Sequence, residues 1–198
     1  MSESWIFADL ASHIHYKVLK KRLDSSRFKH TLGTCRIAKE LAAKNGVPEH
    51  KAVLAALLHD AGKGFNKNGM IKYAARHKLK VPEKKLIIKH NPSLLHSFIS
   101  ADIAKREFRV TDPDILTAIA LHTLGGRNMS MLSKIIYISD SVSFDRRYPG
   151  VKQLRRLAYS DINAAVREAM ANKIYYVIKK KFWLHPAAAE AWNSILEA

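Results

Sequence analysis

His59 and Asp60 stand side by side where an apolar run, AVLAALLHDAGK (52–63), stops being apolar. An imidazole and a carboxylate are both metal-ligand types, and a carboxylate taken out of water must be paired or coordinate a metal. Lys63 follows Asp60 by three residues and would lie near it on a helical turn. The plain reading is that His59 caps the helix end and Asp60 pairs with Lys63. Four further groups of the same kind occur one at a time, each at or near its own apolar stripe: His30, His96, His122 and Asp140. Four histidines and two aspartates meet the N/O ligand needs of a transition-metal site, and six ligands suffice for two metals that share one carboxylate. His13, His15, His50, His77, His90 and His185 lie in polar or terminal contexts and read as surface residues.

Nearly every segment that must position these groups reads as helix. Apolar residues recur at helical spacing from Trp5 to Leu19, which predicts a first helix ending near Leu23. Asp24, Ser25 and Ser26 form a cap-rich break before a helix over 27–44 that carries His30. Asn45-Gly46 stops it, and Pro48 opens the helix that ends at His59. Gly62 offers that helix an exit. Residues 64–89 are polar and basic, with short amphipathic pieces, and predict a mobile insert over a site. Asn91-Pro92 breaks the chain before a helix over 92–108 with His96 on it. Asp112-Pro113 is a helix start, and that helix ends at His122. Another over 129–143 places Asp140 near its end. Helices over 151–159 and 161–180 follow, and His185-Pro186 opens a short last one. No segment shows sustained strand alternation. The expectation is an all-α globule of eight to ten helices in a single domain, 1–198, with a core over 27–145 and flanking helices over 4–23 and 151–197.

With 198 residues, 47% of them hydrophobic and 26% charged, the chain has the composition of a soluble globular protein. No apolar stretch is long enough to span a membrane, and no basic segment precedes an apolar core at the start. Cys35 is the only cysteine, so no internal disulfide forms and a reducing, cytoplasmic compartment is expected; the thiol reads as a small packed residue. The net charge of +17 favours polyanions: nucleotide phosphates or nucleic acid. Its basic blocks, the last at 179–181, lack the aromatic interleaving of a single-strand binding platform.

The ordered pattern H…HD…H…H…D, with KHTLG (29–33), LLHDAGK (57–63), LLHS (94–97), LHTLGGRNMS (121–130), KIIYISD (134–140) and RRYPGV (146–151), resembles the HD-domain metal-dependent phosphohydrolases. More narrowly it is similar to their YqeK-like branch, the symmetrical diadenosine tetraphosphate hydrolases. The resemblance implies an all-α HD domain with a two-metal site in its core. His30, His59, Asp60 and Asp140 would hold one metal, and Asp60, His96 and His122 the other, with Asp60 bridging. It implies iron, with manganese or zinc also able to fill such a site. It implies hydrolysis of diadenosine tetraphosphate to two ADP by a metal-activated water, with Asp60 and Lys63 catalytic. Lys63, Thr123, Gly125, Arg127 and Arg146 would touch the substrate, and a homodimer fits the family. Two loops depart from the family pattern. HTLGGRNMS stands where relatives read HT(S/T)GRPNMS, which moves the arginine one place, to Arg127. Ser143-Phe144-Asp145-Arg146 stands where they read Glu-Pro-x-Arg, keeping only the arginine. Another nucleotide substrate, a mono- or triphosphate, and a basic RNA- or ribosome-binding protein with a structural metal site are the competing readings.

Overall fold

The computed structural model describes residues 10–197. They form eleven α-helices and no strand. Of the first helix, α1 (Leu10–Arg22) is described; its expected start at Trp5, and the side chains of His13 and His15, lie outside the described residues. Asp24 then accepts from the Arg27 backbone N–H at 2.9 Å and starts α2 (Ser25–Lys44). α3 (Glu49–Leu58) sits at the centre, packed on α2 and on the later α6 (Leu95–Arg106), α7 (Pro113–Leu121) and α8 (Met131–Val142). It can be central because Ala52, Ala55 and Ala56 are fully buried. Small side chains let four neighbours approach one short helix. α9 (Val151–Ser160) and α10 (Ile162–Lys179) pack against α8, and α11 (Pro186–Leu196) packs on α10.

Three expectations need correction. Residues 64–89 are not a lid. They fold into α4 (Lys67–Arg76) and α5 (Lys84–His90), which Met70, Ala74 and Ile87 anchor in the core. The helix expected over 92–108 begins as a 3-10 turn, Pro92–Leu94, before α6. His185 is buried, not a surface residue: its Nδ1 caps α11 by accepting from the Ala187 N–H at 3.0 Å, and its Nε2 faces the Pro82 carbonyl at 3.4 Å. His50 and His90 are exposed and His77 half-buried. Lys179 to Lys181 sit beside exposed Tyr175, Tyr176 and Phe182, an interleaving not expected from the sequence. Cys35 is buried, and burial pushes its thiol pKa up, as a packed residue requires. Among the described residues no helix is long and apolar enough to cross a membrane.

Candidate metal centre

Three of the four histidines are aimed by one device. Each directly follows or opens a helix end, and its Nδ1–H donates to the carbonyl three residues back. His59 donates to Ala56 (2.6 Å), His96 to Ser93 (2.6 Å) and His122 to Ile119 (2.7 Å). The proton is thereby committed to Nδ1, and each Nε2 presents a lone pair inward. His30 lies inside α2, where backbone carbonyls are already used. Asp145 does the same work there, with both oxygens about the ring's Nδ1 at 2.9 and 3.0 Å. His30 Nε2 then meets Asp140 Oδ1 at 2.9 Å.

The inward atoms converge on Asp60, which is 2% exposed. Its Oδ1 lies 3.5 Å from Nε2 of both His96 and His122, and its Oδ2 lies 3.7 Å from His59 Nε2. Two sets result, His30–His59–Asp60 and Asp60–His96–His122, each with ligand atoms within 4.8 Å of one another. Asp60 belongs to both. Asp140 borders the first set through His30 and is also held by the Arg146 guanidinium.

Two features show that cations fit here. His59 Nε2 and Asp60 Oδ1 are buried without any hydrogen-bond partner. An orphaned buried acceptor costs free energy until something satisfies it. His96 Nε2 and His122 Nε2 face each other at 3.0 Å, although both imidazoles already carry their proton on Nδ1. Two lone pairs at that distance repel unless a proton or a metal lies between them. The donor set of imidazole nitrogens and carboxylate oxygens suits a transition metal.

The electrostatics agree. Burial pushes His59 down to about 4 and His96 to about 3, against the pull of Asp60. Burial also lowers His30, but hydrogen bonds and charge from Asp140, with Asp145, override it and raise the pKa. Burial would raise Asp60, yet His59, His122, His96 and Lys63 together hold it well below the carboxylate range. A pH dependence follows. His59 and His96, and His185 with its lowered pKa, stay neutral in the fold but take protons in the unfolded chain below about pH 6.5. The unfolded state then binds more protons, so stability rises with pH. His30 slopes the other way but is one group against three. The metal-free protein is expected to lose stability from pH 6.5 down toward pH 4, by up to about 1.4 kcal/mol per pH unit for each such proton. Urea titrations of metal-free protein across that range check this; a flat profile would contradict it.

Lys63 Nζ lies 3.3 Å from Asp60 Oδ2, at the mouth of the cluster. Arg146 bonds the Asp140 carbonyl at 3.0 Å. Thr123 Oγ1 lies 3.1 Å from His96 Nε2 and 3.0 Å from His122 Nε2. A cleft of about 330 Å³ opens onto Lys63 and Arg146, lined by Asp24, Ser26, Arg27, His30, Asp60, Lys63, Asp145 and Arg146. No residue of α4 or α5 lines it. Of the residues expected to touch substrate, Lys63 and Arg146 line this wall; Thr123, Gly125 and Arg127 do not. Gly125 has φ +74°, and a Cβ there would lie 2.9 Å from Met170 Cε and 3.0 Å from Ala191 Cβ. Its glycine answers to packing against α10 and α11. Arg127 is exposed on the same loop.

Asp145 was legible only as part of an altered loop, and Ser100 gave no signal. Ser100 Oγ accepts from the Gly62 N–H at 2.9 Å and ties the turn after Asp60 to α6.

Comparison with known proteins agrees with this geometry. The HD domain family model matches residues 27–145. The chain is 35% identical over 175 residues to the symmetrical bis(5'-nucleosyl)-tetraphosphatase of Bacillus subtilis, covering 88% of this chain and 92% of that one. It is 34% identical to the enzyme of the same name from Halalkalibacterium halodurans, covering 91% and 94%. A crystal structure of a Clostridium acetobutylicum protein, described as a predicted HD superfamily hydrolase involved in NAD metabolism, superposes with a TM-score of 0.88 at 34% identity, covering 93% of this chain and 96% of that one.

Proposed function

The chain belongs to the HD-domain family, and we propose that it is a metal-dependent phosphohydrolase that cleaves diadenosine tetraphosphate symmetrically into two ADP. The observation that carries this is the doubly shared Asp60, buried with one oxygen unpartnered between two ligand sets, in a chain so similar to symmetrical tetraphosphatases. We assign His30, His59, Asp60 and Asp140 to one metal and Asp60, His96 and His122 to the second. Iron is our assignment, with manganese or zinc also suited to these donors. When bound, the metals supply Lewis acidity toward phosphate oxygens and a nucleophilic water.

The chain's own residues do the rest. The three backbone-anchored imidazoles and Asp145 hold the ligands in one tautomer and one orientation, so little reorganisation remains when substrate arrives. Lys63 and Arg146 are ion-paired to Asp60 and Asp140 and face the cleft. From there they donate to phosphate oxygens and offset charge that develops on them. The Thr123 hydroxyl, beside His96 and His122, orients a phosphate oxygen. We assign Gly125 and Arg127 to the substrate through the loop that carries Thr123.

The lone buried Cys35 supports a cytoplasmic site of action. The charge of +17 supports a polyanionic substrate and contact with nucleic acid, which salt-dependent RNA binding tests. Sedimentation tests the homodimer.

Product analysis of iron- or manganese-loaded protein with diadenosine tetraphosphate tests the main reading. ADP is expected as sole product. AMP with ATP would mean asymmetric attack, and an untouched dinucleotide with both metals bound would move the activity to another phosphate ester.

A further inference from the structure

α8 ends at Val142, where the last carbonyls of a helix have no partner inside it. Side chains from the segment that follows take four carbonyls in a row at this end. Arg146 Nε donates to the Asp140 carbonyl at 3.0 Å, and the Tyr148 hydroxyl donates to that of Ser141 at 2.8 Å. Arg155, on α9, donates twice: Nε to the Val142 carbonyl at 2.7 Å and Nη2 to the Ser143 carbonyl at 3.1 Å. A planar guanidinium can hold two neighbouring carbonyls at once, and its charge suits the negative end of α8. Arg155 Cζ also lies over the Phe144 ring, 5.1 Å from its centroid, and Arg36 Cζ lies over the same ring at 5.4 Å.

Ser143 opens a turn, since its carbonyl also accepts from the Arg146 N–H at 2.9 Å. Arg155 therefore holds the oxygen that closes the turn on which Asp145 stands. One side of this turn presses on α2, where a Cβ at Gly33 would lie 2.8 Å from Ser143 Oγ. Asp145 itself is exposed, so packing does not fix its carboxylate on His30 Nδ1; the turn must. His96 and His122 are anchored instead to carbonyls of their own segments and owe this turn nothing. Resting on the two-metal phosphohydrolase reading, we propose that Arg155 is a positioning residue for the first ligand set: it holds the 143–146 turn so that Asp145 keeps the His30 ring in place. Arg155 acts through the turn and does not itself line the cleft.

The test reads metal affinity and not turnover. Full-length wild type, Arg155→Met, Arg155→Lys, Asp145→Asn and the Arg155→Met/Asp145→Asn double variant are loaded with Mn²⁺ and titrated with a competing chelator. Asp145→Asn should weaken one of the two metals about 10–100-fold, as for loss of a ligand's supporting partner. Arg155→Met should weaken the same metal about 10-fold and leave the other at its wild-type affinity. The double variant should bind no more weakly than Asp145→Asn alone, because the two changes break one chain of contacts. Arg155→Lys keeps the charge and reaches one carbonyl, so it should recover part of the affinity, and it carries the test if Arg155→Met does not fold. Equal weakening of both metals, additive losses in the double variant, or unchanged affinity for both metals in Arg155→Met and Arg155→Lys would each overturn the inference. If wild type shows the expected coupling yet leaves diadenosine tetraphosphate intact, the positioning role stands and the substrate assignment falls. If wild type takes up fewer than two metals, the two-metal reading fails and this inference falls with it.

Discussion

Asp60→Asn protein will lose both metals and at least about 1,000-fold in activity, and its metal-free form will melt lower than metal-free wild type. The loss follows from position. Asp60 is common to both ligand sets, so one substitution strips each of its carboxylate. Removing a merely supporting partner around a metal costs about 10–100-fold, and a shared ligand must cost more. The stability half follows from the carboxylate's neighbours. Without metal, Asp60 is 2% exposed, yet His59, His122, His96 and Lys63 hold its pKa well below the carboxylate range, so the ionised form is favoured in the fold and contributes stability at neutral pH. A neutral amide gives up that contribution and leaves Lys63 without its carboxylate. Metal analysis, a phosphate-release assay and calorimetry with and without added metal read all three quantities. Wild-type metal content in this variant would remove Asp60 from the site.

Gly62→Ala is the substitution expected to damage the fold most for its size. A Cβ at Gly62 would stand 2.5 Å from the His96 carbonyl oxygen and 3.1 Å from Ile99 Cβ and Cγ2. The first neighbour is backbone at the start of α6 and cannot swing aside. Overpacking of this kind costs about 3 kcal/mol, which in a chain of this length lowers Tm by about 6–12 °C. The push also falls on the residue that carries the His96 ring, so affinity at the second ligand set should drop with stability. Gly46→Ala is the contrast. Gly46 has φ +68° with nothing within 4 Å of its Cβ, so the cost there is backbone strain of about 1 kcal/mol. Thermal melts of the two variants side by side decide it. Equal shifts would mean that α6 gives way and that the approach is not tight.

The six proposed ligands were readable because each ends or punctuates an apolar run, where a lone polar group has few reasons to be. The helices were readable from the same periodicity. What escaped depends on contacts between distant parts of the chain. Asp145 reaches His30 across 115 residues, and Gly62 reaches Ser100 across 38. Gly62 looked like a helix exit, but its need is close approach to α6. Residues 64–89 looked unanchored because only Met70, Ala74 and Ile87 are buried there, while Phe65, Ile71, Tyr73, Leu79, Val81 and Ile88 pack on the core only in part, so no regular stripe is visible. His185 looked polar in context because capping uses a neighbour's N–H, which leaves no trace in residue type. Arg127 and Gly125 were placed by analogy with a loop whose actual packing on α10 and α11 only the fold could supply.

The proposed ligands enter from five helices, and His30 meets Asp140 across 110 residues of chain. No short peptide excised from this protein holds the set, and a ribosome must release most of the chain before the last ligand appears. The complete proposed ligand set therefore exists only after the core has closed. A metal held there would still have the cleft of about 330 Å³ as its way out, without α3 parting from α6, α7 and α8. The half-life of bound metal in excess chelator should thus be shorter than that of the native fold, and stabilising substitutions far from the cleft should lengthen only the second.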